Sequence, residues 1–125
     1  MMSQDVNTLV GKTLVDISIK DKGNEILRFV FDDGSVYEMY HDQNCCESVY
    51  LYDIIGDMGS LIGSPLTMAE EVTSRIDPEG YKGDAHYDSF TWTFYKFATL
   101  KGYVTLRWLG ESNGYYSETV GLYKV

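Results

Sequence analysis

Between Arg28 and Arg75 this chain has no lysine and no arginine. Its 125 residues hold 10 basic side chains against 19 acidic ones, a formal net charge of -9. Such a deficit excludes the usual basic domain that neutralises DNA or RNA phosphates. It also disfavours docking on an anionic membrane surface. Long apolar runs are missing too, and none approaches the roughly 20 residues of a membrane-crossing helix. The opening residues, Met1-Met2-Ser3-Gln4-Asp5, carry no basic stretch followed by an apolar one. No secretory leader is therefore expected, and the reading is of a cytoplasmic protein. Also absent are a phosphate-cradling glycine loop, a Gly-x-Ser-x-Gly elbow and the flanking ligands of a calcium loop.

What is there suffices for one domain with a real core, since 44% of the residues are apolar. The stretch 29–74 carries nine acids: Asp32, Asp33, Glu38, Asp42, Glu47, Asp53, Asp57, Glu70 and Glu71. From Ala85 onward the balance is nearly even, with Asp88, Glu111 and Glu118 against Lys96, Lys101, Arg107 and Lys124. Part of the surface is thus expected to repel phosphates and attract cations or basic proteins. A merely solubilising face explains the same numbers. Aromatics lean the other way: ten of the 18 fall between Tyr87 and Tyr116. That enrichment is a strand signal, and outward-facing tyrosines would build a contact surface.

Patterning predicts an α+β chain, mostly β: an antiparallel curled sheet or half-barrel of about seven strands with one short helix. Val15, Ile17 and Ile19 alternate with polar residues in a first strand over 13–20. A turn at 21–24 leads to a second strand, 25–32, with Leu27, Phe29 and Phe31 on one face. Asp32-Asp33-Gly34 is a hairpin signal before a third strand, 35–41. Residues 49–52 read as extended. Residues 53–62 read as a helix capped by Asp53, with Ile54, Ile55, Met58, Leu61 and Ile62 on one stripe. Over 66–76 helix and strand compete; Pro65 and the β-branched residues favour a strand with one acid turned inward. Residues 77–88 read as a loop. Strands 90–100 and 103–109 follow, with Phe90, Trp92 and Phe94 on the face opposite Tyr95 and Phe97. An Asn113-Gly114 turn leads to a last strand over 115–125, with a bulge at Gly121.

Chemistry concentrates in His41-Asp42-Gln43-Asn44-Cys45-Cys46-Glu47-Ser48. A nucleophilic cysteine with His41 as base is one reading, but the acidic surroundings raise a thiol pKa rather than lower it. A zinc site of His41, Cys45 and Cys46, joined by Asp42 or His86, is another. Against it, adjacent residues of a strand point to opposite faces. A disulfide between the two cysteines would close a strained ring. The third reading, a tight turn with one cysteine as a small buried hydrophobe, leads. His86 lies in the loop. The tip at Gly110–Ser117 reads as hairpin chemistry that also presents Asn113, Tyr115 and Tyr116.

Three segments, 41–50, Trp92–Thr99 and Gly110–Ser117, resemble a family of small bacteriophage-encoded proteins that is a domain of unknown function. The resemblance runs from about Gly11 to the C-terminus and implies a phage accessory protein acting inside an infected bacterium. It carries no catalytic residues.

The leading expectation is a non-enzymatic protein that binds a host or defence protein with a basic surface, one form being imitation of DNA's charge. The acids Asp42, Glu47, Asp53, Asp57, Glu70 and Glu71 would carry it. A second expectation is a small-ligand or nucleotide sequestering protein stacking a base on Tyr95, Tyr115 or Tyr116, with Lys96, Lys101 and Arg107 gathered nearby. A third is a metal- or cysteine-dependent enzyme at the His41/Cys45/Cys46 turn. Direct nucleic-acid or membrane binding is not expected; a homodimer through an aromatic face or an edge strand fits the pattern.

Overall fold

Apolar side chains at every second position build eight antiparallel strands: β1 (Leu14–Ile19), β2 (Leu27–Phe31), β3 (Val36–Tyr40), β4 (Ser48–Ile55), β5 (Met68–Ser74), β6 (Ser89–Thr99), β7 (Gly102–Ser112) and β8 (Gly121–Lys124). The computed structural model describes residues 3–20, 25–83, 85–86 and 88–125. The predicted turn at 21–24 lies outside the described residues. The strands form two four-stranded sheets, ordered β1-β2-β3-β8 and β4-β7-β6-β5. The chain thus crosses from the first sheet to the second between β3 and β4, and returns between β7 and β8.

The two inner faces share one core. The first sheet contributes Leu14, Leu27, Phe29, Phe31, Tyr37, Met39 and Leu122; the second contributes Ala69, Tyr95, Phe97, Val104, Leu106 and Trp108. Phe29 and Phe97 meet across the layers with ring centroids 5.7 Å apart. Each fully buried aliphatic or aromatic side chain contributes about 1.5–3 kcal/mol. The indole N–H of Trp108 is buried without an acceptor among the described residues. The meander β1–β3, the hairpin turn at Gly34 and the long β6–β7 hairpin all follow the predicted order.

Several expectations need correction. The sheet is not one curled half-barrel of seven strands but two sheets, and they do not close into a barrel. No α-helix occurs among the described residues, only 3₁₀ turns at Val6–Leu9 and Met58–Leu61. The predicted helix over 53–62 is instead the end of β4 followed by the second turn. Ile54 and Ile55 pair with Leu106 and Thr105 across the sheet, where β-branched residues fit. Gly56 then takes φ +109°, where an added Cβ would lie 2.4 Å from the Tyr103 carbonyl oxygen. Asp57, not Asp53, is the cap, accepting from the Gly59 amide at 2.9 Å.

In β1 the pairing shifts between Leu14 and Asp16, so Leu14 and Ile17 face the core while Val15 and Ile19 are exposed. Residues 68–74 are a strand, but neither acid enters the core. Ala69 does, and Glu71 lies across from Tyr95 on an outer strand of the sheet that pairs only with β6. The last strand shrinks to Gly121–Lys124 and joins β3, not β7. β7 is already paired on both edges, by β4 and β6, so no edge is left for a further strand. Glu118 is buried there and accepts from Thr91 Oγ1 at 2.7 Å and from Ser112 Oγ. Gly110 makes room for it, since a Cβ there would lie 2.5 Å from the Glu118 carbonyl oxygen. That anchor holds the chain beside β7 through side-chain contacts before it returns to the first sheet.

Candidate functional site

The crossing from β3 to β4 is built around one carboxylate. Glu47 is buried, and its Oε2 accepts from the Asn44 amide at 2.8 Å while Oε1 accepts from the Cys45 amide at 2.8 Å. His41 Nε2 lies 2.8 Å from the same carboxylate, and His41 Nδ1 lies 2.6 Å from the Thr119 carbonyl oxygen. Both ring nitrogens face oxygen atoms. Burial pushes the Glu47 carboxyl up, but the His41 imidazole and the two amides outweigh it and hold the group at about 2. Gln43 closes the turn by donating to the Glu47 carbonyl at 2.6 Å.

Two cavities flank this turn, and Glu47 lines both. The larger, about 530 Å³, opens where the chain leaves the first sheet for the second. Its walls are Tyr40 and Tyr50 with Ile26 and Val49, and its polar groups include Glu25, Asp42 and Gln43. No lysine or arginine is among its described lining residues. Glu25 accepts from the Leu51 amide, which ties the start of β2 to β4. Asp42 is exposed and makes no hydrogen bond or ion pair with a described residue. Burial, then the Glu111 charge, pushes the Tyr50 hydroxyl up, so it stays neutral and able to donate. The smaller cavity, about 280 Å³, is lined by Cys46, Glu47, Asp88, Ser112, Asn113 and Tyr116.

The other predicted site residues scatter. Asp53 forms a two-pronged pair with Arg107, Nε to Oδ1 at 2.6 Å, and Arg107 lies over the Tyr52 ring. Asp57 caps a 3₁₀ turn. Asp33 and Glu38 pair with Lys12 and Lys20. Glu70 and Glu71 are exposed on β5. The nine acids of 29–74 therefore do not form one uncompensated face. Tyr95 is buried and donates to the Val120 carbonyl at 3.1 Å, so it offers no stacking surface. Tyr115 is exposed and meets Tyr116 edge-on. Lys101 donates to the Ile62 carbonyl and Arg107 to Asp53, so the cations do not gather beside Tyr115 and Tyr116. His41 is engaged by Glu47 and the Thr119 carbonyl, and no group of three metal-ligating side chains is gathered among the described residues.

Sequence reasoning missed Glu25, Tyr40 and Tyr50, because only the crossing between sheets brings them together. It also missed a cluster on the outer face of the second sheet. His86 Nε2 lies 2.6 Å from Asp77 and Nδ1 lies 2.7 Å from Glu111. Its ring stacks between Tyr81 and Phe90, and the Trp92 indole donates to Asp77 at 2.9 Å. Burial pushes His86 down, but Glu111 and then Asp77 outweigh it and raise its pKa. Burial likewise pushes Asp77 up, and Trp92 with His86 outweighs that and lowers it. The loop after β5 is thus clasped over Trp92, which explains why an outward-facing tryptophan is fully buried.

Two facing antiparallel sheets with an acidic, tyrosine-walled cleft at their crossing point define a small β-sheet protein. Residues 7–122 match the family described as Domain of unknown function (DUF7448), and the chain belongs to that family. Comparison with curated proteins and with solved structures gave no match. No helix among the described residues is long and apolar enough to cross a membrane.

Proposed function

We propose that this is a non-enzymatic phage accessory protein that binds a host or defence protein by seating one of its lysine or arginine side chains in the cleft between β3 and β4. The observation that carries this is the cleft's lining: Tyr40 and Tyr50 beside the carboxylates of Glu25 and Asp42, with the buried Glu47 behind them and no lysine or arginine among the described lining residues. Aromatic faces and carboxylates together suit a cation with an apolar stem. The net charge of -9 supports fast, salt-sensitive encounter with a basic partner. Relative to the charge pattern alone, the proposal moves the contact from a broad acidic face to one cleft, with Glu70 and Glu71 as distant acids that steer. A volume of about 530 Å³ also suits a free cationic small molecule.

Capture from a bacterial lysate at increasing salt, with wild type beside Asp42→Asn and beside the double change Glu70→Gln with Glu71→Gln, tests the proposal. The expected result is salt-sensitive capture, lost in Asp42→Asn and retained in the double variant. Capture that resists salt, or that Asp42→Asn leaves intact, would contradict it. A ligand released as a small molecule rather than a protein would move the reading to sequestration.

A further inference from the structure

Cys45 and Cys46 do not sit on opposite faces of a strand. They occupy a bend, both are exposed, and their sulfurs lie 2.8 Å apart. A disulfide bond is roughly 2.05 Å long, so the thiols are already in contact at little more than bonding range. The bend is held from beneath: the Cys45 amide donates to buried Glu47, and Gln43 donates to the Cys45 carbonyl at 3.2 Å. Cys46 and the Tyr116 hydroxyl both line the cavity of about 280 Å³, which gives a reagent a place to enter beside the sulfurs.

We infer that Cys45 and Cys46 are a disulfide-exchanging pair, a reversible modification site whose reactant class is the low-molecular-weight disulfide. The two thiols are not equivalent. The Cys46 thiol and then the Tyr116 hydroxyl hydrogen-bond to Cys45 and lower its pKa, while the same contact with Cys45, with burial, raises that of Cys46. Cys45, which both the Cys46 thiol and the Tyr116 hydroxyl reach, is the attacking thiol, and Cys46, which lines the cavity, the resolving one. The Cys45 thiolate attacks one sulfur of the reagent RS–SR. A Cys45–S–SR bond forms, the RS–SR bond breaks, and one RS⁻ leaves. The Cys46 thiolate then attacks the Cys45 sulfur, and the second RS⁻ leaves. Two electrons pass from the protein to the reagent, and the two thiol protons end on the two departing thiols.

The test treats the reduced full chain with glutathione disulfide and follows intact mass and free thiols. Wild type is expected to lose both thiols, with a mass decrease of two hydrogens and no retained adduct. Cys46→Ser is expected to stop at a stable glutathione adduct on Cys45, formed several-fold faster than any adduct on Cys46 in Cys45→Ser. Tyr116→Phe is expected to slow the wild-type reaction about two- to fivefold, following the smaller thiolate fraction. Reduced thiols that persist, adducts on both cysteines of wild type, or equal rates in the two serine variants would each overturn the inference. The wild-type mass does not depend on any variant folding.

Discussion

At the scale of single residues, the carboxylate of Glu47 organises the turn that separates the two cavities. Its folded value of about 2 lies below the ordinary 4.5, so its contribution is complete above pH 4.5 and is lost as pH falls toward 2. Protection of the Asn44 and Cys45 amides, relative to their intrinsic exchange, is therefore expected to fall over that range. In Glu47→Gln their exchange is expected to be fast already at neutral pH, because the amide oxygen replaces one acceptor and the imidazole loses its carboxylate. Slow exchange in Glu47→Gln would remove the carboxylate from its organising role. The sequence marked His41–Ser48 as the dense segment and read it as a turn, but the expected buried cysteine is absent, since Cys45 and Cys46 are both exposed. What it did not show was direction. Glu47 looks like a surface acid until its backbone partners two and three residues earlier are drawn, and the neighbouring thiols look divergent only if the segment is taken as a strand.

At the scale of elements, local pattern was enough wherever partners are adjacent in the chain. The meander β1–β3 and the hairpin β6–β7 follow from alternation and turn residues alone. It failed where the chain changes sheet. Ile54, Ile55, Met58, Leu61 and Ile62 have helical spacing, yet the strand pairing of Ile54 and Ile55 with β7 and the left-handed Gly56 prevail. Tyr115 to Val125 has strand composition, yet the buried carboxylate of Glu118 fixes an irregular stretch before β8. The clasp over Trp92 is invisible to periodicity because its acids and its histidine lie in a loop and at the end of β7. It makes a two-sided prediction. His86, held above its ordinary 6.5, contributes fully below pH 6.5 and stops contributing as pH rises through the folded value. Asp77, held below 3.8, contributes above pH 3.8 and stops as pH falls. The Trp92 indole N–H resonance is thus expected to be most protected from exchange between about pH 3.8 and 6.5. Asp77→Asn is expected to flatten the acid limb, and a flat profile in wild type would dissolve the clasp.

At the scale of the whole molecule, two sheets are joined by one apolar layer, and the cleft exists because the chain must cross from one to the other. Phe29 and Phe97 meet in that layer. Replacing either by Ala is expected to cost about 3–5 kcal/mol in denaturant unfolding, and the double change less than the sum, since the two rings are in contact. Full additivity would mean that the layers do not depend on this contact. The net charge of -9 is spread by the fold into paired acids and a few free ones, and the described lining of the larger cleft brings acids and two tyrosines together without lysine or arginine. The most direct test is an amide NMR titration of the full chain with a short arginine-containing peptide at low salt. Shift changes concentrated at Glu25, Tyr40, Asp42, Val49 and Tyr50, weakened about three- to tenfold by Asp42→Asn, are the predicted result. Shifts centred on Glu70 and Glu71, or spread evenly over the acids and unchanged by Asp42→Asn, would contradict the assignment of the cleft.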